Sequence, residues 1–82
     1  MMAAYTIALF GAFRDYGAEV HVSGGAPITA GALKNVIAQH MGQSFQGLVA
    51  SAVLTRGVQV CGDDDAVSPD DDLGLLPPVS GG

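Results

Sequence analysis

Residues 5–13, YTIALFGAF, place Tyr5, Ile7 and Leu9 at every second position, with Phe10 and Phe13 close behind. This alternation predicts a first strand with one apolar face. Residues 14–17, RDYG, read as a turn, and Glu19, Val20, His21 and Val22 as a second strand that stops at Ser23, Gly24 and Gly25. Two adjacent strands of this kind are expected to form a hairpin. The period then changes. Leu33, Val36, Ile37, His40 and Met41 fall at i, i+3, i+4, i+7 and i+8, behind a capping Thr29 and ahead of Gly42, which predicts a helix with one core-facing stripe. Residues 43–50 fit either a short turn of helix or a loop that plugs the core with Phe45, Leu48 and Val49. Residues 52–55 and 58–60 read as two short strands joined at Arg56 and Gly57. An acidic loop follows from Cys61 to Asp72, then a last strand from Leu73 to Leu76. This order predicts an α+β domain, a mixed sheet of four to five strands with one main helix packed on one face, over residues 1–76. Residues 77–82 are expected to form a flexible C-terminal tail.

Composition narrows the function. Eighty-two residues with 49% apolar and 13% charged side chains describe one small folded domain. A chain of this size hides only roughly 60 to 65% of its unfolded surface, which leaves little core around a deep catalytic site and favours a binding or carrier role. So low a charged share leaves apolar surface for a partner to cover. Three basic residues against eight acidic ones give a net charge of −5, which repels a phosphate backbone and excludes a nucleic-acid ligand. The single cysteine, Cys61, allows no internal disulfide and suits a reducing, cytoplasmic setting. No Lys or Arg precedes Arg14 and no apolar run reaches 18 residues, so neither a secretory leader nor a membrane span is expected.

The end of the sequence is its most informative part. With 12 glycines in 82 residues, Gly81-Gly82 arises by chance in roughly 2% of cases. A residue without Cβ is the least hindered place for a nucleophile to reach an activated acyl carbonyl, and glycine threads narrow channels. Pro77 and Pro78 restrict the base of the tail, so less entropy is lost when a partner takes it in. The ending LLPPVSGG, behind the acidic SPDDDL, resembles the end of the MoaD/ThiS sulfur carriers of the ubiquitin-like β-grasp superfamily. The opening IALFGAFRDYG is similar to the first strand and Arg-containing turn of that family. The double proline makes the resemblance greatest to the small subunit of molybdopterin synthase.

The resemblance implies a ubiquitin-like β-grasp fold and a carrier with no bound cofactor. Its Gly82, next to Gly81, would be adenylated by an E1-like enzyme using ATP and converted to a thiocarboxylate with sulfur from a sulfurtransferase. Pro77, Pro78, Val79 and Ser80 would enter partners, with Leu75 and Leu76 at the contact. The thiocarboxylate would donate sulfur to cyclic pyranopterin monophosphate inside the large subunit of molybdopterin synthase, in a heterotetramer, to form the molybdopterin dithiolene.

Other residues carry plainer expectations. Cys61 reads as a small strand-end hydrophobe, having no basic neighbour in sequence to activate it. His21 and His40 lack metal-ligand spacing, and His40 suits the negative end of the helix. Asp63–Asp65 and Asp70–Asp72 lack the spacing of a calcium loop and read as a solvated, partner-steering segment. Leu9 and Phe10 join Leu75 and Leu76 as candidates for a covered patch, although alternation sends at least one of each pair into the core. No Ser-His-Asp, Cys-His, paired-carboxylate or phosphate-loop set can be assembled, so no independent catalysis is expected. Three alternatives stay open: a sulfur carrier for thiamine or cysteine, a protein modifier joined through the same glycine, and a noncovalent interaction module.

Overall fold

The first strand begins earlier and ends sooner than its apolar pattern suggests. In the computed structural model, which describes residues 1–78, β1 spans Met2–Leu9, with Tyr5, Ile7 and Leu9 buried and Met2, Ala4 and Thr6 exposed. Pairing with a long neighbour recruits Met2 to Ala4 into the ladder. Phe10 ends it, because Gly11 turns into the left-handed region at φ +58 and residues Gly11–Asp15 close a 3-10 turn. Phe13, at the middle of that turn, is fully buried and stops one end of the core.

β2 (Glu19–Gly25) runs antiparallel to β1 with Tyr5 opposite Val22. It passes through Gly24 and Gly25 instead of stopping there. A Cβ on Gly24 would lie 3.2 Å from Ile28 Cδ1 and 3.7 Å from the Tyr5 ring, so neighbouring side chains fill the place this residue leaves and hold it in the strand. A two-residue β3 (Ile28–Thr29) leads into α1 (Ala30–Met41). Thr29 Oγ1 accepts the Ala32 amide at 3.2 Å and Gly42, at φ +96, ends the helix, both as the sequence indicates. Leu33, Ile37 and Met41 are buried, while Val36 is half-buried and His40 exposed, so the stripe is narrower than its pattern.

Residues 43–50 are helical. α2 (Gln43–Ala50) buries Val49 and rests Phe45 and Leu48 against the core. β4 (Val53–Arg56) and β5 (Gln59–Cys61) form the expected hairpin, turning at Gly57 with φ +60. The acidic segment is more than a solvated loop. Its β6 (Ala66–Val67) pairs with β3, and the Asp65 and Asp63 carbonyls accept the first amides of α1, from Ala30 at 2.8 Å and Gly31 at 3.0 Å. These are amides that a helix start leaves without partners inside the helix. Lys34 clamps the same corner, its ammonium donating to the Ala52 carbonyl at 3.1 Å and pairing with Asp63 at 3.2 Å.

β7 (Leu73–Leu76) enters the middle of the sheet, parallel to β1 and antiparallel to β4. The order β2-β1-β7-β4-β5 is a five-stranded mixed sheet, with α1 across one face. Seventeen apolar side chains are buried, and among the described residues no polar or charged side chain is. No helix among them is long and apolar enough to cross a membrane.

Tyr5, buried on the part of β1 that pairs with β2, donates its hydroxyl to the Gly25 carbonyl. Burial, with the Asp71 charge as the smaller cause, raises the phenol above its ordinary 10.0. The folded chain therefore keeps this proton where the unfolded chain has lost it, so stability falls as pH rises above about 10. Urea midpoints measured across that range should fall with pH in the parent and less steeply in Tyr5→Phe; equal slopes would rule this account out.

Candidate functional site

β7 sends alternate residues to opposite faces of the sheet. Leu73 and Leu75 face the helix and are 3% and 0% exposed, whereas Leu76 is 38% exposed. This corrects the pairing of Leu75 with Leu76 as a partner contact: Leu75 lies level with Leu9 and Leu54 in the core and offers no surface. Leu9 is buried for the same reason, and Phe10, beyond the end of β1, is 41% exposed.

The register identifies what surrounds Leu76. Ala8, Gly74, Thr55 and Val60 form one row across β1, β7, β4 and β5. Val53 stands opposite Leu76 in the next row. All six lie on the face turned away from α1, where Phe10 folds over the glycine. A Cβ on Gly74 would lie 2.9 Å from both Phe10 Cε2 and Thr55 Oγ1. The glycine lets the ring lie against the sheet, and Gly74 is buried beneath it. Beside the ring lies a depression of about 70 Å³ lined by Ala8, Phe10, Thr55, Gly57, Asp72, Leu73 and Gly74. Asp72 supplies its one carboxylate, and the Asp72 carbonyl accepts the Gly57 amide at 2.8 Å. The result is a mainly apolar face in which the depression, with Asp72, lies toward the start of β7, and Leu76 lies at the end from which the tail departs.

Pro77 is half-buried and Pro78 exposed. Pro77 is not free of the domain, because its ring occupies the space over Gly11. Val79, Ser80, Gly81 and Gly82, including the expected reactive end, lie outside the described residues. Thr55, Val60, Gly11 and Gly74 were not singled out from the sequence. A glycine inside an apolar strand marks a close approach, so Gly74 carried a usable signal; Val60 did not.

The remaining candidates stand apart from this face. Cys61 is 9% exposed and opposite Leu54 on the core side. His21, exposed, meets Glu19 at 3.2 Å and Thr6 at 3.0 Å. His40 lies beside Tyr16, ring centroids 6.4 Å apart. Among the described residues no three His, Cys, Asp or Glu side chains gather as a metal site would require.

Filling the space under Phe10 tests this geometry. Gly74→Val should displace the ring and lower stability by about 1 to 3 kcal/mol, as overpacking does. Denaturant unfolding gives the loss, and unchanged Phe10 ring resonances in the variant would contradict the contact.

The sequence matches no family model and no curated protein. The fold is similar to the crystal structure of SAMP1 from Haloferax volcanii, with a TM-score of 0.73 at 20% sequence identity, over 98% of this chain and 100% of the other. At that identity the likeness speaks for architecture alone. Together with the mixed sheet order and the helix across one face, it establishes a ubiquitin-like β-grasp fold for this chain.

Proposed function

We propose that this chain is a ubiquitin-like sulfur carrier acting through Gly82, as the small subunit of a molybdopterin synthase. The observation that carries the reading is the junction at the end of β7, where the segment leading to Gly81-Gly82 leaves beside the exposed side chains of Phe10 and Leu76. A carrier needs both features at one place: a surface by which an enzyme holds the domain, and a slender end that reaches into that enzyme. Holding the domain turns reaction at the tail into an effectively intramolecular step.

In this reading the Gly82 carboxylate attacks the α-phosphate of ATP on an E1-like enzyme and pyrophosphate leaves. The outer sulfur of a sulfurtransferase persulfide then attacks the acyl carbon, AMP leaves, and a thiol reductant cleaves the resulting acyl disulfide to free the thiocarboxylate; with sulfide in place of the persulfide, displacement of AMP gives the thiocarboxylate directly. Glycine suits each displacement because no Cβ blocks the carbonyl. The large subunit of the synthase covers the patch, takes in the tail and presents cyclic pyranopterin monophosphate, to which the sulfur passes. Asp72 and the other carboxylates of the 63–72 segment steer the chain to basic partner surfaces.

A second reading is favoured by the structural neighbour, a ubiquitin-like small archaeal modifier protein. Here the same activated glycine acylates lysines of other proteins. The chain's only lysine, Lys34, has a side chain 15% exposed and held by Ala52 and Asp63. Lysine-linked polymers of the chain itself are therefore disfavoured.

Intact mass after incubation with ATP, sulfide and an E1-like enzyme tests both. The full chain should gain the mass expected for one oxygen replaced by sulfur, and the chain lacking Gly82 should not. Absence of the gain, with the enzyme active on an authentic carrier, would leave a noncovalent interaction module. Leu76→Asp should keep the folded stability within about 0.5 kcal/mol, as exposed substitutions do, and weaken capture by the activating enzyme at least about tenfold, as loss of a buried apolar contact does. Undiminished capture in a binding titration would remove the patch from the site.

A further inference from the structure

We propose that Gly11 and Pro77 form a latch that sets the direction in which the tail leaves the domain, and that both are positioning residues for chemistry at Gly82. The inference rests on the reading of Gly82 as the acyl end and adds how that end is aimed.

The geometry is specific. Gly11 has φ +58, and a Cβ built on it would lie 2.6 Å from Pro77 Cγ and 3.0 Å from Pro77 Cδ. The pyrrolidine ring thus rests on the bare Cα of Gly11, where an L residue would be strained by the backbone angle and its Cβ would displace the ring. The platform beneath is hydrogen-bonded to β7 and anchored by a buried ring. The Phe10 amide donates to the Leu75 carbonyl at 3.2 Å, carrying the contact between β1 and β7 one residue past the strand. The Phe13 amide donates to the Phe10 carbonyl at 3.2 Å and the Tyr16 amide to the Phe13 carbonyl at 3.0 Å, and the Phe13 side chain is fully buried. Pro77 therefore sits on a turn anchored in the core, and Pro78, next along the chain, is exposed.

The latch also couples the two parts of the candidate site. Phe10, at the docking patch, precedes Gly11; Leu76, at the same patch, precedes Pro77. When a partner grips Phe10 and Leu76 it grips the root of the tail, and the proline's restricted φ carries that orientation onward. Five residues separate Pro77 from the reacting carbonyl, a reach of about 17 Å when extended. Misplacements of about 1 Å are enough to slow enzymatic steps about 100-fold, so the direction in which the root leaves the domain bears on the rate. The latch presents the tail already aimed, and less order has to be imposed when the channel takes it in.

Steady-state activation kinetics on the full-length chain, with single and double variants, test the proposal. Pro77→Ala removes the ring from the exposed end of the fold and leaves the core intact. Its kcat for activation should fall about tenfold with KM within about twofold, because docking through Phe10 and Leu76 persists while aiming is lost. Gly11→Ala should do the same by expelling the ring. Since both act on one contact, Gly11→Ala/Pro77→Ala should lose about tenfold, not about 100-fold. A nuclear Overhauser contact between the Gly11 α protons and the Pro77 ring protons should be present in the parent and absent in Gly11→Ala. Parent-like kcat in Pro77→Ala overturns the latch, whether or not Gly11→Ala folds. Multiplying losses in the double variant overturn it too, since Pro77 would then act through the partner. An unreactive parent chain overturns the reading of Gly82 and the latch with it, whereas an active parent with indifferent variants overturns the latch alone.

Discussion

The insertion of β7 between β1 and β4 holds the molecule together. Without these four residues the sheet is two separate hairpin-like pairs, β2 with β1 and β4 with β5. Leu73 and Leu75 place apolar side chains against the helix at the seam, and both edges of the strand are paired. β7 therefore closes onto β1, a pairing between residues more than 60 apart in sequence that carries a large loop-closure cost. It also roots the tail in a strand paired on both edges instead of at a fraying edge.

The same insertion shapes the outer face of the sheet. A central strand must show one face to the core and the other to whatever lies outside. On the outer side the chain places Ala8, Gly74 and Thr55, residues small enough for Phe10 to fold over them, and leaves Leu76 and Val60 exposed around it. Part of the apolar surface anticipated from the low charged fraction, Phe10 and Leu76, thus lies where the tail begins, while Met1, Met2 and Val58 are exposed elsewhere. In the proposed reading, chemistry at Gly82 asks of the domain a firm root and an exposed grip.

The acidic segment does structural work that its composition hides. Its backbone, through the Asp63 and Asp65 carbonyls, completes the start of α1, and Lys34 ties it to the end of α2. Backbone groups do the capping, so the side chains of Asp64 and Asp70 stay at the surface and contribute to the field around the domain.

Patterns of short range were legible in the sequence. Tyr5, Ile7 and Leu9 marked β1, Thr29 and Gly42 bounded α1, and Gly57 turned the β4–β5 hairpin, because each depends on neighbours within a few positions. Gly81 and Gly82 were singled out by their chemistry, which requires no fold to be recognised. Alternation showed that Leu75 and Leu76 face opposite ways. It could not show which way was inward, since that depends on the side of the sheet that α1 covers. Nor could it show that Gly24 stays in a strand, that Ala66–Val67 finds Ile28–Thr29, or that Pro77 rests on Gly11. Each joins residues remote in sequence, and only packing the whole chain together brings them into contact.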